Sequence, residues 1–280
     1  MTTRTLAYSP CPNDTFVFAA LTNGMLDGAP PVEAHLADID RLNAAAAQGE
    51  YELVKVSYGA LPYLTERYRI LRSGGAVGRG CGPLLVARPE NAPELFTGVR
   101  DKRVAIPGER TTAYLLLQMA LGGRPKSVEI MRFDRIVPAV AEGKIDAGLI
   151  IHESRFTYRD AGLIAIADLG EWWENFTLLP LPLGAILVRK DVEVEEARRL
   201  GEAIRDSLAF ARANPNRVMP YVREHAVEMS DDVMRRHIGL YVNEFTDDLG
   251  EDGMRAVSAL LARAREAGVL TKGAEVEFVE

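Results

Sequence analysis

The chain has 280 residues, of which 48% are hydrophobic and 26% charged, with a formal net charge of −7. At about 150 residues per domain this length points to two domains and a sizeable core, and the composition is that of ordinary globular proteins instead of disordered or fibrous ones. The acidic balance argues against a nucleic-acid or anionic-membrane partner, since both need a dominant positive field, and no stretch reaches the roughly 18 to 20 apolar residues of a membrane span.

The opening MTTRTL lacks the basic start and apolar core of a secretory signal, so a cytoplasmic location is expected. Cys11 and Cys81 are far apart and each is set among prolines or glycines, which implies no disulfide framework. Strand-like runs then follow in chain order: RTLAYS, VEAHLAD, ELVKVS, YRILRS, PLLVAR, KRVAIPG, SVEIMRF, DAGLIIH and LIAIADL. Helical patterns separate many of them, so the chain reads as α/β with mostly parallel strands. NDTFVFAALTNG offers Asn13 or Asp14 as a cap and Gly24 as a stop; DIDRLNAAAAQG and TTAYLLLQMALGG repeat that grammar of polar start and glycine end. Toward the C-terminus the pattern becomes helical: Ala197, Leu200, Ile204, Leu208 and Ala211 fall at helical spacing, as do Met254, Val257, Leu261 and Ala264.

Two segments suggest how the domains divide. GPLLVARPE (82–90) and LGAILVRKD (183–191) are both apolar strands that break into Arg and further charge, with enough strands and helices between them for a small α/β domain. The expected arrangement is a discontinuous large lobe of residues 1–88 and 189–280, a small lobe of 89–188, and two hinge crossings with a ligand cleft between the lobes. A single larger sheet is the alternative.

Ligands of open α/β sheets sit beyond the carboxyl ends of strands, where loops enter helix N-termini. Four such junctions carry unusual residues: YSPCPNDTF, KVSYGALPY, IPGERTTAY and IHESRFTY. Ser57 and Thr111 or Thr112 read either as helix caps or as ligand contacts. The glycine-rich RSGGAVGRGCGP leads into a strand, which makes it a weak nucleotide signal; tight turns or close backbone approach account for its glycines. Cys11 reads as a small residue packed beneath a helix start, or as a nucleophile if a base lies nearby. Trp172 and Trp173 could floor a pocket or belong to the core.

Of four histidines, His35, His225 and His237 read blandly, in an alternating strand and on charged helices. No HxxxH or HExxH pattern occurs and the cysteines add no zinc spacing, so no metal site is expected. His152 differs because it ends an apolar strand where a cleft would lie, and a neutral imidazole is the natural base at physiological pH. If residues 149–153 are extended, Glu153 points to the opposite face.

SPCPNDTF (9–16), SYGALPYLTERYRILRSGGAVGRGCGPLLVAR (57–88), IPGERTTAYLLL (106–117), GLIIHESRFTY (148–158) and DLGEWWENFTLLPLPLGAILVRKD (168–191) together resemble the 1,4-dihydroxy-6-naphthoate synthase family of the futalosine route to menaquinone. The likeness extends over essentially the whole chain. It implies a type II periplasmic-binding-protein fold working as a cytoplasmic enzyme, a lyase that converts cyclic dehypoxanthinyl futalosine to 1,4-dihydroxy-6-naphthoate. It also implies His152 as catalytic base, substrate contacts at Lys55, Val56 and Ser57 and at Thr112 and Ala113, a small-molecule substrate as partner, and no cofactor or metal. Two rivals share that fold: chorismate dehydratase of the same pathway, and a non-catalytic solute-binding protein.

Overall fold

Ten strands form two five-stranded sheets in the computed structural model, which describes residues 2–227, 230–271 and 275–280. The first sheet takes β1 (Arg4–Tyr8), β2 (Val32–Leu36), β3 (Leu53–Ser57), β4 (Tyr68–Gly78) and β10 (Leu181–Arg189), in the order β2-β1-β3-β10-β4. The second takes β5 (Leu84–Ala87), β6 (Arg103–Ile106), β7 (Ser127–Ile130), β8 (Ala147–Ile150) and β9 (Ile164–Asp168), in the order β7-β6-β8-β5-β9. In each sheet four strands run one way and one, β10 in the first and β5 in the second, runs antiparallel between two of them. The expected dominance of parallel pairing therefore holds only for the βαβ halves. The two lobe-changing strands run backwards because each enters its sheet from the other lobe.

Helices α1 (Pro12–Thr22), α2 (Ile39–Gln48), α3 (Thr112–Leu121), α4 (Phe133–Ala141), α5 (Ser154–Thr157) and α6 (Leu169–Thr177) alternate with the strands. After β10 the chain is helical: α7 (Val194–Ala213), α8 (Pro215–His225), α9 (Asp231–Tyr241), α10 (Glu244–Asp247) and α11 (Gly250–Glu266). The helices expected at DIDRLNAAAAQG and TTAYLLLQMALGG end at Gly49 and Gly122, both left-handed as a C-terminal glycine stop requires. α1 differs. Cys11 is its cap position and Pro12 its first residue, which puts Asn13 and Asp14 inside the first turn.

Period-two alternation sorts the side chains of the first sheet. Leu6, Tyr8, Leu53, Ile186 and Val188 face α1 and α7. Ala7, Val54, Val56, Ala185 and Leu187 join the opposite core with α2 and α11. That second core continues into the small lobe through Leu85, Val104, Leu149, α3 and Trp173, so the lobes share apolar packing on one side. Burying each large aliphatic side chain stabilises by roughly 1.5–3 kcal/mol.

Sheet membership relocates the lobe boundary. β5 lies wholly in the second sheet and β10 wholly in the first, and the two do not pair. The chain passes between sheets at 79–83 and again at 169–180, ahead of the expected 88 and 188. The segment RSGGAVG, whose glycines were expected to serve tight turns or close backbone approach, is the end of β4, and β4 pairs irregularly with β10 near Gly184.

Candidate active site in the cleft between the sheets

A cavity of about 80 Å³ lies between the two sheets, lined from both lobes. Three of its walls come from strand ends that lead into helices, as the topology of open sheets dictates. Ser9, Asn13 and Asp14 come from the β1–α1 junction, Lys55 and Ser57 from β3, and Thr111, Thr112 and Ala113 from the start of α3. His152 closes the small-lobe side, and His237 and Tyr241 of α9 complete the large-lobe side.

The β1–α1 wall is a buried ionic network. Lys55 and Asp14 form an ion pair with side chains only 6% and 2% exposed. Asp14 also accepts from the Asn13 amide at 2.7 Å and from the Ser9 hydroxyl at 2.7 Å. Two charges removed from water persist only when paired and hydrogen-bonded in this way. An ammonium has three donors, so Lys55 keeps donors for a ligand beyond the one it gives Asp14.

His152 sits two residues past β8 with φ 56°, one of two described non-glycine residues with positive φ. Side chains seldom occupy this left-handed region, and doing so costs on the order of 1 kcal/mol. The chain is therefore not extended here. It turns into α5, the imidazole lines the cavity, and Glu153 is buried with its carboxylate within 4.8 Å of the imidazole instead of on the opposite face. Nδ1 of His152 lies 3.4 Å from Sγ of Cys11, and the ring of Phe133 meets the imidazole edge-on at 5.1 Å. Burial lowers the pKa of His152 to about 4, opposed by the nearby Asp14 charge, so the ring is neutral at physiological pH with a lone pair to offer. Burial raises the Cys11 thiol well above its ordinary value, which removes the nucleophile reading: this sulphur is a neutral packing and hydrogen-bonding neighbour of the imidazole. Burial likewise pushes the Glu153 carboxyl up to about 7.

Of the expected contacts, Lys55, Ser57, Thr112, Ala113 and His152 all line the cavity. Val56 does not. It points to the α2 and α11 side of β3, because neighbours on a strand face opposite ways. Thr111, and not Thr112, caps α3 by accepting from the Tyr114 N–H at 3.2 Å. The Thr112 hydroxyl spans the lobes instead, donating to the Leu183 carbonyl at 2.7 Å and accepting from the Gly59 N–H at 3.2 Å. Ser57 is no cap either: its backbone N–H and hydroxyl are both clipped by Asn43, at 2.8 and 3.2 Å. Trp173 is core, its indole N–H given to the Pro180 carbonyl, and Trp172 stacks on Phe176; neither lines the cavity.

The sequence marks Asn13 and Asp14 only as cap candidates and His237 only as an ordinary helical residue, yet all three line the cavity. His237 Nε2 meets Asn13 Oδ1 at 3.0 Å, which extends the ionic network to α9. A signal was available: Met234, His237, Ile238 and Tyr241 form one apolar stripe at helical spacing, with the histidine inside it.

The sequence model of a family described as menaquinone biosynthesis matches residues 4–266. Two relatives named 1,4-dihydroxy-6-naphthoate synthase are each 49% identical. One, from Streptomyces coelicolor, aligns over 95% of this chain and 94% of its own; the other, from Thermus thermophilus, over 98% of both. A crystal structure of an Archaeoglobus fulgidus protein superposes with a TM-score of 0.88 at 37% identity, covering 96% of this chain and 98% of that one. A Candida albicans gene product, described as having the generic periplasmic binding protein fold, superposes with a TM-score of 0.70 at 14% identity over 98% and 92% of the two chains. The two-lobed architecture is thus that of periplasmic binding proteins.

Proposed function

The chain belongs to the menaquinone biosynthesis family of 1,4-dihydroxy-6-naphthoate synthases, and from that premise we propose that it is a carbon–carbon lyase converting cyclic dehypoxanthinyl futalosine to 1,4-dihydroxy-6-naphthoate, with His152 as general base. The observation that carries this reading is the neutral imidazole of His152 on the wall of an interlobe cavity, opposite a fixed Lys55–Asp14 pair.

In the proposed reaction His152 takes a proton from the bound substrate, the carbon–carbon bond to the sugar-derived fragment opens, and the second ring becomes aromatic. Aromatisation supplies much of the driving force, and the net change calls for no redox partner. Lys55, with donors left over from Asp14, suits the substrate carboxylate or sugar oxygens. The free N–H groups at the start of α3, by Thr112 and Ala113, add donors and a partial positive charge. Ser9 and Asn13 hold the Asp14 carboxylate so that the charge pattern is set before substrate arrives. Enclosure between the lobes excludes water and fixes the reacting geometry.

The experiment is incubation of the purified protein with cyclic dehypoxanthinyl futalosine in the presence of a chelator. Formation of 1,4-dihydroxy-6-naphthoate supports the reading. Substrate recovered unchanged from a binding-competent protein would make the chain a solute-binding protein, and turnover of chorismate alone would make it a chorismate dehydratase.

A further inference from the structure

Cys11, His152 and Glu153 bring a thiol sulphur, an imidazole nitrogen and a carboxylate oxygen within 4.8 Å of one another. No local spacing in the sequence announces this group. The fold makes it by setting the start of α1 against the turn that follows β8, across 141 positions of chain. The 3.4 Å between Cys11 Sγ and His152 Nδ1 is already the donor-to-donor edge of a tetrahedral zinc site, where bonds of about 2.0–2.3 Å hold ligands about 3.3–3.8 Å apart. A second observation points the same way. Glu153 is only 9% exposed, and its Oε2 is buried with no hydrogen-bond partner. An acceptor left unmet in the interior is costly, and a cation satisfies it.

We propose that Cys11, His152 and Glu153 form a binding site for a divalent cation of the zinc class, with the fourth position left to water or a substrate oxygen, and that the bound metal switches the base off. The donor set selects the metal. Thiolate sulphur and imidazole nitrogen suit zinc and its neighbours, whereas magnesium and calcium take oxygen donors. Charge balances as well: a thiolate and a carboxylate bring two negative charges, which the dication neutralises inside the protein. On binding, the thiol proton, and the carboxyl proton if present, pass to solvent. A neutral imidazole has one lone pair and one N–H. Once the metal holds the lone pair, the ring's only proton stays on the other nitrogen, and nothing remains to accept a proton from substrate. Inhibition is therefore reversible and follows metal occupancy.

The site goes beyond the lyase reading and is read by metal binding alone, while its inhibitory role rests on that reading and is read by turnover, so the failure of one is distinguishable from the failure of the other. Metal-stripped full-length protein is titrated with Co²⁺, followed by displacement with Zn²⁺. The expected result is one metal per chain and a near-ultraviolet thiolate-to-cobalt absorption band that Zn²⁺ removes. Cys11→Ser loses the band, Cys81→Ser keeps it, and Glu153→Gln weakens zinc binding at least about tenfold. In turnover assays Zn²⁺ inhibits and a chelator restores activity. Absence of saturable binding, a band that persists in Cys11→Ser or follows Cys81, or zinc affinity unchanged in Glu153→Gln would each overturn the proposal. Should Cys11→Ser fail to fold, the zinc affinity of Glu153→Gln decides.

Discussion

The imidazoles of His152 and His237 lie parallel across the lobe boundary, 6.2 Å between centroids and 11° between planes, one from the turn after β8 and the other from α9. Both rings are held neutral by burial, and each positive charge would disfavour the other. Since Asn13 Oδ1 can only accept, the proton of His237 sits on Nε2 and its Nδ1 is left without a partner. His237 is thereby tied to the Asp14 network through Nε2, whereas Nδ1 of His152 faces the Cys11 sulphur.

Acid stability separates His152 from its neighbour in sequence. The His152 pKa falls from 6.5 to about 4 on folding, so between those values the unfolded chain binds the extra proton and stability drops as pH falls. The Glu153 pKa rises from 4.5 to about 7, so there the folded chain binds the extra proton and stability drops as pH rises. Between pH 7 and 5 the two contributions oppose each other at about 2 kcal/mol each. Urea unfolding of metal-free protein should show Glu153→Gln losing about 2 kcal/mol more than wild type over that range, and His152→Asn about 2 kcal/mol less. Identical slopes in all three proteins would contradict the assigned burial of these groups.

Lys55→Met should destabilise by about 3–5 kcal/mol, because it leaves Asp14 charged and buried without its cation. Adding Asp14→Asn should recover part of that loss, giving a coupling energy that a double-mutant cycle reads directly. Additive single effects would mean that the pair is not coupled in solution.

Gly59 marks where the lobes touch. A Cβ there would lie 2.7 Å from the Thr111 carbonyl oxygen, a backbone atom of the other lobe that cannot yield as a side chain would. Gly59→Ala is expected to hold the lobes apart, enlarging the radius of gyration in small-angle scattering and lowering kcat/KM at least about tenfold by admitting water and losing alignment. A variant with wild-type scattering and turnover would show that closure to this geometry is not needed.

Thr111 and Thr112 should part company. Thr111→Val removes a helix cap, at about 1 kcal/mol of stability. Thr112→Val leaves the Leu183 carbonyl and the Gly59 N–H without their partner across the cleft, at about 1–3 kcal/mol of lobe closure. Chemical unfolding and substrate affinity together separate them: the first change appears mainly in unfolding, the second mainly in affinity. The reverse pattern would exchange their roles.

The sequence makes legible whatever depends on local pattern. Period two in β1, β3 and β10, helical spacing in α7 and α11, and the glycine stops after α2 and α3 all appear in the structure. His152 stands out in the sequence because a polar residue ending an apolar strand is conspicuous. Val56 faces away because a run of three residues on a strand alternates faces, so of that run Lys55 and Ser57 line the cavity. The contacts of His237 with Asn13 and of Cys11 with His152 escaped because they join elements distant in sequence, which periodicity does not encode. The lobe boundary at 79–83 escaped for a related reason: an antiparallel lobe-changing strand has the same apolar composition as its neighbours.

The most direct test of the central claim is single-turnover conversion of cyclic dehypoxanthinyl futalosine by metal-free wild type and His152→Asn, with substrate affinity measured alongside. If His152 takes the proton, the variant binds substrate within a few-fold of wild type while its rate falls about 100- to 10,000-fold. A folded His152→Asn protein that forms 1,4-dihydroxy-6-naphthoate at the wild-type rate would contradict the account.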